Sequence, residues 1–328
     1  MNIQKVVSYL TKFCKFSNLP SFEEFKEGFE PDDEKYRNSE LDGLEREFEP
    51  TELYISFTRM SEKNNLASKI ASHLWGGESQ TLDFFKDIKI TDVVEMSYAD
   101  HKPLKVSVNL KGGIEKVFYA KPFDERRLAG LELVHLLSPD KYNFSASGEA
   151  IYEDEIPGIE AEEFEANYKG DPFKNESYVS ELVKLDFLTQ LLLLGDMHKR
   201  NYLVSSNNIT GEEKYSVRPI DFDKIFLISK IEYADVLSTD KDKILKFLGK
   251  EKYDSIRETV KGEIRKRYYE NKNRINTFLE IINESDKCTV YASDLRNSLS
   301  AFHNDIDIAY IDNFGELLKV HFERMLEP

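Results

Sequence analysis

Residues 194–204 read LGDMHKRNYLV, and residues 218–223 read RPIDFD. Asp196 and Asn201 stand five residues apart, directly after an apolar run with helical spacing, and Asp221 follows 20 residues after Asn201. Transfer of a phosphoryl group from ATP requires a carboxylate that orients the acceptor hydroxyl, and an amide with a second carboxylate that hold Mg²⁺ on the phosphates. Asp196, Asn201 and Asp221 supply these three groups in that order.

This pair of segments resembles motifs of the protein-kinase-like superfamily. The pattern GDxHxxN at 195–201, followed by IDF at 220–222, is similar to the catalytic loop and metal-binding motif of its atypical branches, such as aminoglycoside- and choline-type phosphotransferases and phosphatidylinositol-kinase-related enzymes. The resemblance implies ATP and Mg²⁺ as cofactors. It implies Asp196 as catalytic base or substrate-orienting carboxylate, Asn201 and Asp221 as Mg²⁺ ligands, and His198 as a residue that holds the loop or approaches the transferred phosphate. The alternative is an ordinary helix end with polar caps.

The strand and helix upstream offer the two further residues that the superfamily uses around the nucleotide phosphates. Residues 116–121 read KVFYAK, a strand pattern that ends with Lys121. The helix predicted at 124–137 offers Glu125 and Glu132. We prefer Glu132 as the partner of Lys121, because a mid-helix residue projects back toward the strand, whereas Glu125 belongs to the first turn and suits the helix dipole. The alternative is that all three are solvated surface charges.

The sequence departs from the superfamily in three places. No Gly-x-Gly-x-x-Gly phosphate loop precedes Lys121, so nucleotide binding would depend on Lys121 and the metal. The usual Asp-Phe-Gly ends here in Asp223, which is either an additional metal ligand or a helix cap. No Ala-Pro-Glu follows, so a conventional peptide-docking segment is not indicated. Residues 150–157 occupy the position of the hinge, whose backbone would pair with adenine.

Hydrophobic periodicity divides the chain into three parts. Residues 1–88 are predicted to be a helical, acidic N-terminal extension, residues 89–157 a kinase-like, β-rich N-lobe with its hinge, and residues 158–328 a helical C-lobe. This order predicts an α+β, two-lobed, protein-kinase-like fold. Strands are expected at 91–98, 104–110, 116–121 and 148–156, helices at 124–137 and from residue 180, helix interruptions at Gly249 and Gly315, and a turn at 204–208.

Composition narrows the function classes. The 328 residues include 45 Lys and Arg against 61 Asp and Glu, which gives a net charge of −16. No nucleic acid partner is expected, because sequence-independent binding of DNA or RNA rests on neutralising phosphates with basic side chains. Hydrophobic residues make up 40% of the chain, enough for a core, so global disorder is not expected. Cys14 and Cys288 lie too far apart to form a metal-ligand motif.

No transmembrane segment or secretory signal is recognisable in the sequence. The most apolar run, residues 191–194, is far shorter than the roughly 20 residues that cross a bilayer. We expect a cytoplasmic protein, or one that is secreted into a host cell by a route that needs no signal peptide. A composition rich in Lys, Asn, Ile and Phe is compatible with a bacterial chain that acts as a delivered effector.

One basic segment stands out on this acidic chain. Six cations fall within 14 residues: Lys261, Arg265, Lys266, Arg267, Lys272 and Arg274. A solvated helix explains such a segment most simply. The alternative is a pocket for a phosphorylated activator, an inositol phosphate or an anionic lipid headgroup, to which Arg126 and Arg127 would contribute in a similar way.

Taken together, the residues predict an ATP- and Mg²⁺-dependent phosphotransferase, with a protein Ser/Thr acceptor as the first choice. A small-molecule or lipid kinase is the second interpretation, since those branches share the Asp-x-His-x-x-Asn form. A third keeps the fold but changes the chemistry, to AMPylation or another ATP-dependent reaction. The non-enzyme alternative is a pseudokinase scaffold, which the missing glycine loop favours and the presence of Asp196, Asn201 and Asp221 disfavours.

Overall fold

A computed structural model shows the chain as two compact units. The β-rich unit comprises Ile3–Asp124 and Asn143–Glu155, and the helical unit comprises Glu125–Tyr142 and Ile156–Pro328. The residues that the structure describes are 3–12, 19–27, 29–37, 52–57, 60–75, 88–96, 102–147, 149–209, 212–231, 236–237 and 240–327.

An antiparallel sheet dominates the β-rich unit. Its elements in chain order are α1 (Ile3–Lys12), α2 (Phe22–Lys26), β1 (Phe29–Arg37), β2 (Glu52–Phe57), α3 (Met60–Trp75), β3 (Lys89–Met96), β4 (Leu104–Leu110), β5 (Ile114–Pro122), β6 (Phe144–Ala146) and β7 (Ala150–Asp154). The seven strands lie in the order β1-β2-β3-β4-β5-β7-β6. Each neighbouring pair is antiparallel.

The core of this unit lies between the sheet and helices α2 and α3. Along β4, Leu104, Val106, Val108 and Leu110 are buried while the residues between them are half-exposed, because successive side chains of a strand point to opposite faces. Phe25 of α2 meets the ring of Tyr152 edge-on, with ring centroids 6.1 Å apart. β5 and β7 pair with each other next to the short edge strand β6.

Two strands in the N-terminal segment were not expected from its sequence. β1 pairs with β2, and β2 pairs with β3, so the segment 1–88 adds strands to the sheet and is not purely helical. β1 contains Pro31 and several acidic residues, which in the sequence favour a loop. It forms the edge of the sheet, where a proline costs no ladder hydrogen bond.

The helical unit contains most of the helices and a small sheet. Its elements are α4 (Glu125–Leu137), β8 (Ile159–Glu160), α5 (Ala161–Asn167), α6 (Glu176–Leu192), β9 (Tyr202–Ile209), β10 (Glu212–Pro219), α7 (Lys241–Leu248), α8 (Lys250–Glu270), α9 (Lys272–Ile282), α10 (Ala292–His303) and α11 (Phe314–Met325), with 3-10 turns at Pro172–Lys174 and Ile306–Tyr310. The three strands lie in the order β10-β9-β8. The apolar helix α6 is almost entirely buried and packs on α8 and β10.

The α+β class predicted from the sequence is confirmed, because a β-rich region and a helical region are both present. β4 matches its predicted bounds, and α4 begins one residue later than predicted. The turn predicted at 204–208 is wrong. Those residues lie within β9, which pairs with β10 over its whole length, from Tyr202↔Pro219 to Ile209↔Glu212.

The two predicted glycine interruptions have different outcomes. Gly249 separates α7 from α8 with a φ of 75°, a conformation that favours glycine. Gly315 lies inside the first turn of α11 instead. A Cβ at Gly315 would stand 2.4 Å from the carbonyl oxygen of Leu279, so this glycine serves the close packing of α11 on α9.

Within the described residues, no helix has the length and hydropathy needed to span a bilayer. Cys288 is a buried free thiol, and the other cysteine, Cys14, lies outside the described residues.

A buried histidine closes the end of α6. The Nε2 of His321 on α11 lies 3.2 Å from each of the carbonyl oxygens of Gln190 and Leu191, which belong to the last turn of α6. Its Nδ1 lies 3.0 Å from Nε2 of His303 on α10. Burial, and next the neighbouring His303, lower the pKa of His321 to about 3. His321 is therefore neutral at physiological pH and donates to carbonyls in the last turn of α6, where the helix itself supplies few donors.

This histidine predicts a loss of stability in mild acid. The folded-state pKa lies below the unfolded value near 6.5, so only the unfolded chain gains a proton as the pH falls through that range. We expect His321 to cost about 2 kcal/mol of the free energy of unfolding between pH 6.5 and pH 5, because one pKa unit corresponds to roughly 1.4 kcal/mol. Urea denaturation at several pH values measures it.

The His321→Gln variant should flatten that pH dependence. His303, whose pKa burial also lowers, contributes in the same direction, with Arg324, Asp305 and Glu327 as its charged neighbours. The His303→Gln variant is therefore the control that separates the two histidines. An unchanged pH dependence in His321→Gln would show that this residue is not the source.

Candidate active site

The loop after α6 is closed by its own hydrogen bonds. Helix α6 ends at Leu193, which adopts a left-handed conformation, and Asp196 also has a positive φ of 55°. The backbone N–H of His198 donates to the carbonyl of Asp196 at 3.0 Å, and that of Asn201 donates to the carbonyl of His198 at 2.8 Å. Left-handed backbone at residues other than glycine is costly and concentrates at functional sites. The loop therefore holds a strained conformation at the predicted catalytic carboxylate.

Asn201 fixes the position of Asp196. Its side-chain Nδ2 donates to the backbone carbonyl of Asp196 at 2.6 Å, which links the two ends of the five-residue interval. The carboxylate of Asp196 and the ring of His198 are each more than half exposed, and His198 Nε2 lies 4.0 Å from Asp196 Oδ1. The side chains of Asp196 and His198, which are proposed to contact the acceptor and the transferred phosphate, are thus accessible to solvent. The amide of Asn201 is fixed by its hydrogen bond to the backbone of Asp196.

Backbone contacts join the two sequence motifs. The N–H of Ile220 donates to the carbonyl of Asn201 at 3.0 Å, and the N–H of Gly195 donates to that of Lys224 at 3.2 Å. Leu194 and Ile225 form an antiparallel bridge between the same two segments. The hairpin of β9 and β10 thus brings the segment that follows it back to the segment that precedes it. Residues 195–201 and 220–225 therefore form one local structure.

Two carboxylates project from the second segment. Asp221 Oδ1 accepts from Arg127 Nη2 of α4 at 2.8 Å. Asp223 is largely buried, with Nζ of Lys224 3.7 Å from its Oδ2. Burial, and next the negative charge of Asp221, raise the pKa of Asp223. Two neighbouring carboxylates of this kind favour a bound cation, since like charges at close range oppose ionisation.

The donor set fits Mg²⁺. Asn201, Asp221 and Asp223 offer amide and carboxylate oxygens, the ligands that Mg²⁺ prefers. The Oδ1 atom of Asp223 is buried and has no hydrogen-bond partner among the described residues, as expected of an atom that awaits a ligand. In the described part of the chain, no three His, Cys, Asp or Glu side chains form a metal-binding group, and the candidate set consists of two carboxylates and one amide.

Phe222 anchors the motif to α4. The side chain is buried and meets the ring of Tyr142 edge-on, with ring centroids 5.8 Å apart. Gly130 of α4 faces it, and a Cβ built on Gly130 would stand 2.5 Å from Cβ of Phe222. Because Cβ of Phe222 is tied directly to the backbone, it cannot move without shifting the neighbouring Asp221 and Asp223.

The Gly130→Ala variant is expected to lower the free energy of unfolding by about 2 kcal/mol, since overpacking a well-filled interior costs roughly 1–3 kcal/mol. Gly262→Ala on α8 is the matched control, because a Cβ there meets nothing within 4 Å. Replacing this open helical glycine with alanine should stabilise the protein by about 1 kcal/mol. Thermal unfolding of both variants tests the pair, and equal shifts of the same sign would contradict the close approach of Gly130 to Phe222.

Lys121 pairs with Glu153, and Glu132 pairs with Arg274. Lys121 lies on β5, and its Nζ is 3.0 Å from Oε2 of Glu153 on the adjacent strand β7. Glu132 is fully buried on α4, and Arg274 of α9 donates to both of its oxygens, at 2.7 Å and 2.8 Å. Glu132 is thus a structural anchor of α4 on α9. Its predicted role toward Lys121 stays a prediction.

The basic segment contributes several contacts inside the helical unit. Arg267 donates to the carbonyl of His135 on α4 at 3.0 Å, Arg274 binds Glu132, and Lys272 lies 3.0 Å from Glu323. Lys261 and Lys266 have carboxylates of their own helix within 3.8 Å and 4.0 Å. These pairings favour a structural role for much of the segment over a pocket for an anionic ligand.

Two ion pairs of this region were not predicted from the sequence. Arg127 was singled out only as a basic residue, and its ion pair with Asp221 joins residues 94 positions apart. Glu153 was assigned only to a hinge backbone, yet its side chain binds Lys121. The sequence signal for the second pair was the neighbouring strands themselves, since β5 and β7 were both predicted.

No protein-family model matches the chain, and no curated protein matches it. Solved structures do match. They include the FAT and kinase domain of CtTel1 (13% identity, TM-score 0.43, covering 99% of this chain and 26% of that chain), the complete CtTel1 dimer with C2 symmetry (13%, 0.43, 99% and 14%) and the open conformation of CtTel1 (14%, 0.35, 72% and 11%). The chain spans about a quarter or less of the length of these chains. At such low identity, the likeness carries no information about its chemistry.

Proposed function

We propose that the protein is an ATP- and Mg²⁺-dependent phosphotransferase with a kinase-like active site. The observation that carries the proposal is the union of two motifs by backbone hydrogen bonds, from the N–H of Ile220 to the carbonyl of Asn201 and from the N–H of Gly195 to the carbonyl of Lys224. This union gathers a catalytic carboxylate, an amide and two metal-binding carboxylates on adjacent segments. Such a set is what phosphoryl transfer requires, because the reaction depends on positioning and on charge stabilisation.

Each residue has a defined task in this proposal. Asp196 orients the acceptor hydroxyl and accepts its proton, and its exposed carboxylate is accessible for that purpose. Asn201 keeps Asp196 in place through its side-chain hydrogen bond and offers its oxygen to the metal. Asp221 and Asp223 complete the metal site. Bound Mg²⁺ would neutralise the charge on the phosphates.

His198 and Lys121 have supporting tasks. The exposed ring of His198 stands beside Asp196 and would approach the transferred phosphate. Lys121 would contact the α- and β-phosphates of ATP, as the resemblance implies, and it pairs with the carboxylate of Glu153 in the β-rich unit.

A protein is the preferred acceptor. A groove of about 1290 Å³ lies in the helical unit, and Lys230 and Ile231, which follow the metal motif in the chain, line it together with Arg257, Phe302 and others. Small-molecule sites usually measure roughly 300–1000 Å³, so this groove suits a polypeptide better. The Asp-x-His-x-x-Asn form keeps a small-molecule or lipid acceptor as the second candidate.

Incubation with labelled ATP, Mg²⁺ and candidate acceptors tests the proposal, with intact-mass analysis of each product. A gain of one phosphate supports phosphotransfer, whereas a gain of AMP would assign the fold to nucleotidyl transfer. The Asp196→Ala variant should lose the product while keeping its melting temperature. If the wild-type protein binds no ATP at millimolar concentration with Mg²⁺, the pseudokinase scaffold is the correct interpretation.

A further inference from the structure

Arg127 makes a direct ion pair with the central metal-binding carboxylate. Its Nη2 lies 2.8 Å from Oδ1 of Asp221, and the two side chains are 14% and 31% exposed. An ion pair that is partly shielded from water is stronger than one on the open surface. The guanidinium of Arg127 therefore competes with Mg²⁺ for the same oxygen of Asp221.

Helix α4 presents this guanidinium from a fixed position. Glu125 accepts a hydrogen bond from Ser285, and Arg126 donates to the carbonyl of Lys287 at 2.7 Å. Further along the helix, Glu132 binds Arg274, and the carbonyl of His135 accepts from Arg267. Contacts at its beginning, middle and end thus hold α4 within the helical unit, and Arg127 cannot leave the metal motif by a shift of the helix alone.

The negative charge around the metal motif suggests a role for Arg127 in binding phosphate. Asp221 and Asp223 bring two carboxylates together, and the sequence before Lys121 has no glycine-rich loop whose backbone N–H groups would bind phosphates. A polyphosphate approaching the motif would meet negative charge unless a cation stood beside it. A guanidinium matches phosphate oxygens in geometry as well as charge, since its N–H groups form a planar fork.

We propose that Arg127 is a phosphate-binding and positioning residue that neutralises Asp221 in the absence of nucleotide and transfers its hydrogen bonds to a phosphate oxygen when metal and nucleotide bind. The inference rests on the proposed function, because it assumes a nucleoside polyphosphate as the ligand. In this proposal, Arg127 competes with the free metal for Asp221 and binds the phosphate of the metal–nucleotide complex. Removing the arginine must therefore change the two affinities in opposite directions.

The experiment uses the full chain, with Mn²⁺ as the metal probe and ATP as the nucleotide. Electron paramagnetic resonance measures the binding of Mn²⁺ alone, and calorimetry measures the binding of Mn²⁺–ATP. We expect the Arg127→Gln variant to bind Mn²⁺ alone about five- to tenfold more tightly and Mn²⁺–ATP about tenfold more weakly, as the loss of one charged hydrogen bond predicts. Arg127→Lys should fall between the variant and the wild type, because it keeps the charge but not the fork.

Arg324→Gln is the matched control. Arg324 also pairs with an aspartate, with Nη2 2.8 Å from Asp305 Oδ2, so the same substitution removes a comparable ion pair elsewhere in the helical unit. Both affinities should remain at wild-type values in this variant. Melting temperatures of all variants verify that they are folded.

The possible results are distinct. If Arg127→Gln weakens the binding of both Mn²⁺ and Mn²⁺–ATP, or alters neither, the inference is overturned. If the wild-type protein binds Mn²⁺ but no ATP, the proposed function fails and the phosphate-binding role fails with it. In that case tighter Mn²⁺ binding by Arg127→Gln would still establish Arg127 as the counter-ion of Asp221.

Discussion

Asp221→Asn is expected to lower the rate of phosphoryl transfer by at least about 1,000-fold. The substitution keeps the shape of the side chain but removes the charge that would hold Mg²⁺, and a bound metal contributes several kcal/mol to stabilising the transition state. A loss of about 4 kcal/mol corresponds to a factor of roughly 1,000 in rate. The fold should change little, because Asp221 is partly exposed and an asparagine can still accept from Arg127.

Two measurements make this prediction specific. Single-turnover assays with labelled ATP give the rate, and electron paramagnetic resonance with Mn²⁺ shows whether the metal site has been lost. Asp312→Asn is the control, since Asp312 is 96% exposed and lies outside the candidate site. A variant that keeps full activity and full Mn²⁺ affinity would show that Asp221 is not a metal ligand, and the proposed site would have to be abandoned.

The local part of the site could be predicted from the sequence because its geometry is set within short stretches. Asp196 and Asn201 are five residues apart, and a single turn brings the amide of one to the carbonyl of the other. Asp221 returns to the loop through the hairpin of β9 and β10. A strand–turn–strand pattern predicts a hairpin here, although residues 204–208, where the turn was predicted, belong to β9. The spacing of residues in a motif therefore predicts those contacts that a single turn or hairpin brings about.

Long-range pairings follow a different rule. The partners of Arg127, Lys121 and Glu132 lie 94, 32 and 142 residues away along the chain. In a sequence with 61 Asp and Glu residues, many carboxylates could pair with each basic side chain. No periodicity in the sequence indicates which carboxylate does so. Packing selects the partner, since a buried charge is tolerated only where a complementary charge arrives with suitable geometry.

The edge strands of the β-rich unit show the same limitation in backbone pairing. The alternating Leu53, Ile55 and Phe57 of β2 carry a period-two signal that could have identified that strand. β1 carries no such signal, and it becomes a strand because β2 offers it hydrogen bonds. Its assignment depends on a neighbour, not on its own residues, as is common for β structure.

Removing one partner of the ion pair between Glu132 and Arg274 is expected to cost more stability than breaking any other pair described above, because the remaining charge would be buried without its partner. Arg274→Met should lower the free energy of unfolding by about 3–5 kcal/mol, because it leaves the fully buried Glu132 carboxylate without its principal partner. Glu132→Gln should cost less, since an amide can still accept one hydrogen bond from Arg274. Urea denaturation measures both.

The double variant distinguishes an anchor from a catalytic role. Glu132→Met combined with Arg274→Met removes both charges, and replacing a buried ion pair with apolar side chains is often neutral, so we expect most of the stability to return. The coupling energy from the complete cycle should be about 2 kcal/mol or more. If Glu132 instead positions the nucleotide phosphates, Glu132→Gln will lose ATP affinity with little loss of stability. The main role of Glu132 would then be nucleotide binding and not its contact with Arg274 of α9. Calorimetry with Mg²⁺–ATP on the same four proteins decides between these roles, because an anchor changes the free energy of unfolding first and a phosphate-positioning group changes nucleotide affinity first.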